Sequence, residues 1–369
     1  MIYLAWRNLL QSRTQFILGV GGVALALLLM LSLDALLAGS EEDLVAYIEQ
    51  SGADIFVAQE GVKNMHMAAS TITLRDMRVA AHTAGVQSAS PILYTTSIVK
   101  TDNADVLSYI IGFDPDEPLG GPPAIVAGTD KVERDEVVLD TAVARSQQLA
   151  LGDEVEIMGH DFTIVGLTSG LTNIVNSISF IHFRDFQALR GGSETISYAL
   201  LKTAPEANPA EIAAAINQRN DKVLALTTAS FSHEERRIIK DMSVEILNIM
   251  NLSGFLIGLA VTALTLYTNT LRKRQEYGVL KAIGAKNGLL YLVVGLQAAL
   301  SLAVGFVVAV GFVWLLGWLV PFIVPGMGLA LTQAGVGRVL AASLLIGLTA
   351  ALVPAWQLAR LDPAAVFRG

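Results

Sequence analysis

The sequence predicts a membrane protein of the α-helical class, with four transmembrane helices and a large α+β extracytoplasmic domain inserted between the first and the second. Three observations carry this. Four apolar blocks approach or exceed the roughly 20 residues needed to cross a bilayer core, in a chain of 369 residues that is 53% hydrophobic and 16% charged. Basic residues gather at the ends of these blocks on one side, whereas the stretch between the first two blocks carries about twice as many acids as bases. That stretch also alternates short β-branched or aromatic runs with short helical ones.

In chain order, residues 1–15 place Ile2, Ala5, Trp6, Leu9 and Leu10 on one helical face. This reads either as a cytoplasmic interfacial helix or as an early extension of the first span. Span one is 16–38. Its apolar stretch is longer than the roughly 7–15 residues of a signal-peptide core, and no small-x-small site follows Leu36-Leu37-Ala38, so it is expected to remain as an anchor. Residues 39–52 keep Leu44, Tyr47 and Ile48 at helical spacing as a stalk that stops near Ser51-Gly52.

The extracytoplasmic domain is placed at 53–231. Strands are expected in "ADIFVA", "PILYTTSIV", "VLSYIIGF", "EVVLD", "DEVEIMG", "DFTIVGL", "SISFIHF", "ISYALLK" and "VLALTT". Helices are expected at Thr141–Leu149, Arg184–Leu189 and Pro209–Arg219, the last with Asn208 as N-cap before Pro at the first helical position. A second stalk, 232–245, leads into span two at 246–271. A loop or short helix follows at 272–287, then span three at 288–320, a short external loop at 321–335, span four at 336–357 and a tail at 358–369.

Arg7 and Arg13, then Arg272, Lys273, Arg274, Lys281 and Lys286, then Arg360 and Arg368 flank the spans on one side, opposed only by Glu276 and Asp362. The positive-inside rule therefore puts both termini and the 272–287 segment in the cytoplasm, with the acidic domain outside. The net charge of −8 averages over these unlike regions. With no cysteine, disulfides, thiolate metal sites and a Cys nucleophile are excluded. There is no GxxxxGK[ST] phosphate loop, GxSxG elbow or HExxH pair, and His66, His82, His160, His182 and His233 are scattered. No catalytic residue or bound cofactor is expected, and no nucleic-acid partner. Asp34 is among the few ionisable side chains in the spans, a scarcity that argues against a proton-coupled carrier.

The segment "LRKRQEYGVLKAIGAKNGLL", Leu271–Leu290, reads as a short amphipathic element. Tyr277, Leu280 and Ile283 are expected on one side, with Arg274, Glu276 and Lys281 left to an aqueous partner and Gly278 and Gly284 allowing close approach or a turn. The same residues also suit an ordinary positive-inside loop. In its pattern the segment resembles the permeases of MacB/FtsX-like (type VII) ABC transporters, which carry a basic run and then Glu-x-Gly-x-Leu-x-Ala-x-Gly-Ala after the second span. Arg272, Lys273 and Arg274 fit the run, and Glu276, Gly278, Leu280, Ala282, Gly284 and Ala285 fit the rest without a gap. The ending is similar too: Arg360, Asp362, Pro363 and Arg368 fit the family tail, with Phe367 replacing its usual Leu. "LGDEVEI" followed by "FTIVGL" resembles the family's periplasmic core domain.

The resemblance implies a stand-alone permease in the bacterial cytoplasmic membrane. A separate ABC ATPase subunit would carry ATP and Mg and dock on Arg274, Glu276, Tyr277, Gly278, Leu280, Lys281, Ala282 and Gly284. It further implies pairing with a second permease copy, identical or related, and export or extraction of a hydrophobic substrate by mechanotransmission, with an adaptor or membrane fusion protein as a further partner. The alternative within the family is a signal transmitter that activates an external hydrolase without transport. Gly22 with Ala26 and Gly254 with Gly258 have small-xxx-small spacing suited to dimer packing. Met65, His66 and Met67 lie together in "QEGVKNMHMAAS". They would suit haem or metal export, or else two packed methionines beside an exposed histidine.

Overall fold

The computed structural model describes residues 13–172, 177–324 and 327–360. Most of the interfacial helix expected over 1–15, and the tail residues Asp362, Pro363, Phe367 and Arg368, lie outside the described residues. The chain divides into two compact units.

One unit runs from Gly39 to Met242 and includes Val320–Gly328. Its frame is a ten-stranded mixed sheet in the order β12-β1-β11-β3-β4-β9-β6-β8-β5, with β7 pairing β3 and β8. In chain order these are β1 (Ile55–Gln59), β3 (Val86–Lys100), β4 (Val106–Phe113), β5 (Ile125–Gly128), β6 (Glu136–Asp140), β7 (Glu154–Ile157), β8 (His160–Thr168), β9 (Ser177–His182), β11 (Tyr198–Thr203) and β12 (Val223–Thr227). A separate pair joins β2 (Ile72–Thr73) to β10 (Thr195–Ile196). The pairs β4·β9 and β6·β8 are parallel. The period of two along a strand explains why β1 is apolar throughout: Phe56 faces one buried cluster, and Ile55 and Val57 face another on the opposite side of the sheet. All nine runs read as strands form strands; β2, β5 and, as a separate strand, β10 were not expected.

The helices are α1 (Arg13–Gln50), α2 (Leu74–Ala81), α3 (Thr141–Gln147), α4 (Phe183–Leu189), α5 (Pro209–Arg219), α6 (Thr228–Arg272), α7 (Arg274–Ala282), α8 (Asn287–Ile323) and α9 (Gln333–Ala359). Asn208 caps α5 by accepting from the Ala210 N–H. Unexpected α2 begins with a reciprocal capping box between Thr73 and Asp76. Both α1, at 38 residues, and α6, at 45, are unbroken. At about 1.5 Å per residue each is far longer than a bilayer core of about 30 Å.

The far end of α1 and the start of α6 are built into the core of this sheet domain. Tyr47 and Ile48 share a buried cluster with Phe56, Ile92, Leu200 and Phe231, and the Phe56 and Phe231 rings stack at 4.9 Å. The Tyr47 hydroxyl donates to the Gly120 carbonyl at 2.9 Å. Gly120 has φ +88°, and a Cβ there would sit 2.6 Å from Ile92 and 2.9 Å from Leu200, so only glycine meets both demands. Glu235, fully buried on α6, accepts from the Met65 N–H and lies 2.8 Å from His66 Nδ1. Arg236 of α6 bonds Glu49 of α1 at 2.6 Å.

The second unit contains the chain up to Ala38, Ser243–Leu319 and the chain from Leu329. Its four helices are long and apolar enough to cross a membrane. Val23, Leu27, Met30, Leu31 and Ala35 of α1 pack on Leu302, Ala309 and Val313 of α8 and on Val339 and Ile346 of α9. The residues expected at a dimer contact, Gly22, Ala26, Gly254 and Gly258, lie against neighbours within the chain. A Cβ on Gly22 would meet Val261 at 2.5 Å, one on Gly254 would meet Met30 at 2.7 Å, and one on Gly258 would meet Ile346 at 3.0 Å and Ala26 at 3.3 Å. Small residues let helix backbones approach whichever chain supplies the neighbour, and here the neighbour is the same chain. Asp34 of α1 pairs with Arg338 of α9. Two charges that look isolated in the sequence thereby become one ion pair.

Candidate coupling surface

The segment after the second span is shaped by two breaks. Lys273 separates α6 from α7, and the chain then leaves α7 through a left-handed turn at Gly284, φ +103°. Two hydrogen bonds close that turn, from the Gly284 N–H to the Lys281 carbonyl and from the Ala285 N–H to the Leu280 carbonyl, both at 3.0 Å. This is a Schellman cap, and its left-handed residue is the reason a glycine stands there.

The short helix presents two unlike faces. Tyr277 is 3% exposed and packs with Leu290, Val293 and Val294 of α8 and Leu358 of α9, and Gly278 is buried beside it. Lys281 donates to the carbonyls of Leu358 at 3.0 Å and Ala359 at 2.9 Å. It thereby supplies donors to carbonyls in the last turn of α9, where positive charge is favoured. On the other face Glu276, Val279, Leu280 and Ile283 stand at i, i+3, i+4 and i+7, which is one helical stripe. The Glu276 side chain is 63% exposed, and Val279, Leu280 and Ile283 are 41%, 43% and 80% exposed. Ala282, Gly284 and Arg274 are exposed as well. Lys273 reaches to 4.0 Å from Glu276; burial holds its ammonium below the usual lysine range, with Glu276 pulling the other way.

Two expectations for this segment change. Tyr277 does not share a side with Leu280 and Ile283, because residues 277 and 283 lie about 240° apart on a wheel of 100° per residue. Lys281 is committed to the end of α9 and is not left to a partner. Val279, which the sequence reading passed over, completes the outward stripe, and the i, i+3, i+4, i+7 spacing from Glu276 was the signal that would have found it. Three exposed apolar side chains thus stand in one row outside the spans.

The second candidate set does not converge. Met65 is buried at 2% and Met67 is 65% exposed. The His66 ring sits against Tyr109, centroids 4.4 Å apart, and is bonded to Glu235, so it is not the exposed histidine of the alternative reading. Among the described residues no group of three or more His, Cys, Asp or Glu side chains is placed to hold a metal ion.

With this geometry in place, two family models match in succession: a MacB-like periplasmic core domain over residues 16–219 and an FtsX-like permease C-terminal domain over residues 248–363. Among curated proteins the chain is similar to an uncharacterized ABC transporter permease of Mycobacterium tuberculosis, 23% identical over the full length of both chains. It is 24% identical to HrtB of Staphylococcus haemolyticus, a protein named for a hemin transport system, over 65% of this chain and 66% of that one. It is 23% identical to the pyoverdine export ATP-binding/permease protein PvdT of Pseudomonas fluorescens, over 98% of this chain and 58% of that one. Among solved structures the periplasmic region of MacB from Actinobacillus actinomycetemcomitans matches at 14% identity and TM-score 0.39, covering 51% of this chain and 94% of that one. The extracellular domain of YknZ, from Gram-positive bacteria, matches at 11% identity and TM-score 0.36, covering 47% and 99%. Likenesses that slight carry no argument, whereas the two family models together cover most of the sequence. The chain belongs to the MacB/FtsX-like family of ABC transporter permeases.

Proposed function

We propose that this permease couples ATP hydrolysis on a separate nucleotide-binding subunit to the export or extraction of a hydrophobic substrate by mechanotransmission. The observation that carries the proposal is the stripe of Glu276, Val279, Leu280 and Ile283 on α7, whose apolar members are exposed among the described residues. In this reading the stripe is the ATPase seat, ATP and Mg belong to that partner, and the permease binds neither. The positive-inside pattern orients both termini and α7 to the cytoplasm, and the sheet domain outward, in a bacterial cytoplasmic membrane. Two permease copies, identical or related, pair around the spans. The long α1 and α6, whose distal ends are cemented to the sheet domain by Tyr47, Phe231 and Glu235, act as levers that carry the motion to it and to an external adaptor.

Relatives named for hemin transport and pyoverdine export support a hydrophobic or amphipathic cargo as a class. A haem-specific reading at Met65, His66 and Met67 has weaker support, since the three side chains diverge and His66 is already bonded.

Reconstitution tests the coupling role. With the ATPase subunit titrated onto the purified permease, Leu280→Glu and Ile283→Glu are each expected to weaken association by roughly 30-fold, the effect of placing a charge in an apolar contact. Membrane insertion should be unchanged. Undiminished binding in both variants overturns the proposal.

A further inference from the structure

A second feature near α7 lies apart from the docking stripe. Tyr267, Thr270 and Leu271 at the end of α6, Arg274 at the start of α7, and Trp356, Gln357, Leu358 and Arg360 at the end of α9 enclose a cavity of about 340 Å³. Three properties distinguish it from a packing defect. Thr270 is 4% exposed and lines the cavity, yet its Oγ1 has no hydrogen-bond partner among the described residues, and a buried hydroxyl left so is costly unless something fills the site. The Arg360 guanidinium rests 3.9 Å from the centroid of the Trp356 ring, a stacking contact that fixes its plane while leaving its N–H groups free to donate. Arg274 shares the cavity, and none of the ion pairs formed by the described residues includes either arginine.

The rim is apolar. Leu271 and Trp356 are 49% and 56% exposed, and beyond them the spans show Leu264, Leu352 and Val353 at 64%, 65% and 53%. Two arginines, a hydroxyl and two aromatic side chains at the end of a bare apolar wall match one ligand chemistry. A phosphodiester can be gripped by paired guanidinium donors, with acyl chains running along the wall and Trp and Tyr at headgroup depth. The docking stripe contains none of these residues.

We infer that this cavity binds the headgroup of an anionic glycerophospholipid from the leaflet on the side where residues 272–287 emerge. The inference needs the membrane spans but no ATPase, so it stands or falls separately from the coupling role.

Native mass spectrometry of the full chain, released from detergent mixed with equal phosphatidylglycerol and phosphatidylcholine, tests it. The wild type should keep phosphatidylglycerol preferentially. The double variant Arg274→Gln/Arg360→Gln should lose about tenfold in retention, and Trp356→Leu should lose a smaller part. Arg272→Gln, two residues before Arg274 and outside the cavity, should bind like the wild type. Should the double variant fail to fold by circular dichroism, Trp356→Leu with Thr270→Val decides the matter by the same readout. Equal retention of both lipids, unchanged retention in the variants, or an equal loss in Arg272→Gln, which would signal diffuse surface attraction, overturns the inference. Displacement of the lipid by millimolar inorganic phosphate would identify free phosphate as the ligand and likewise overturn it.

Discussion

Two glutamates flank the second span, and they live under opposite conditions. Glu235, near the start of α6, has no exposed surface and two partners, the Met65 N–H and the His66 ring. Glu276, on the first turn of α7, has a 63% exposed side chain and, among the described residues, a lysine at 4.0 Å as its ion-pair partner. The sheet domain pairs this buried acid from within and packs Phe231, four residues before it, into its own core. The short helix after the span is left open, with an acid and three apolar side chains facing outward. A buried acid with two partners holds structure together, whereas an exposed one beside a row of exposed apolar side chains has the form the proposed ATPase seat requires.

Mutating the two glutamates should separate the two roles most sharply. Glu235→Ala strands a buried N–H and an imidazole and opens a cavity, so the sheet domain should lose about 3 kcal/mol, read as a fall in thermal unfolding temperature by circular dichroism. Glu276→Ala should stay within about 0.5 kcal/mol of the wild type, its effect appearing only when the ATPase is present. Equal losses would break the comparison.

Two glycines refine it on a smaller scale. Gly120→Ala meets a positive φ together with Ile92 at 2.6 Å and Leu200 at 2.9 Å, and should cost about 2–3 kcal/mol. Gly284→Ala meets only the positive φ, with no atom within 4 Å of the new Cβ, and should cost about 1 kcal/mol. The same unfolding measurement ranks the pair, and the reverse order would mean that α7 is held more tightly than its exposure suggests.

The smallest effect is a pH dependence at the edge of the sheet. Burial pushes the Asp54 carboxyl up, but the Thr203 N–H, Lys202 and the Thr203 hydroxyl outweigh it, so the group titrates below its usual value of 3.8. A depressed folded pKa contributes stability above the unfolded value, and that contribution fades as pH falls through the folded one. Asp54→Asn should therefore lower stability modestly across the neutral range, where that contribution is fully present, and flatten the acid limb of the profile below about pH 4. An unaltered acid limb would remove Asp54 from the account.

Much of this arrangement was legible in the sequence, for identifiable reasons. Block length and the Lys/Arg pattern mark the spans, since both follow from the bilayer alone. The nine strand runs are marked by alternation and turn residues, which are local. What escaped notice depends on distant residues. The side of α7 that faces inward is decided by Leu290, Val294 and Leu358, and the reach of Lys281 by two carbonyls at the end of α9. The pairing of Asp34 with Arg338 joins positions about 300 residues apart. The small residues of the first two spans announce close packing without naming the partner helix. Two features were missed despite a local signal: α2, with the Thr73-x-x-Asp76 box ahead of its first turn, and Val279, at helical spacing from Glu276.

The grip of Lys281 on the end of α9 has a consequence for how force would travel. A helix joined only to the span before it would swing like a door on one hinge, and a push on its outer face would be spent in turning it. Here the same short helix is fastened at Lys281 to the close of the fourth span and wedged by Tyr277 against the opening of the third. In the proposed mechanism, a load applied along residues 276–283 would therefore be shared among three helices at once.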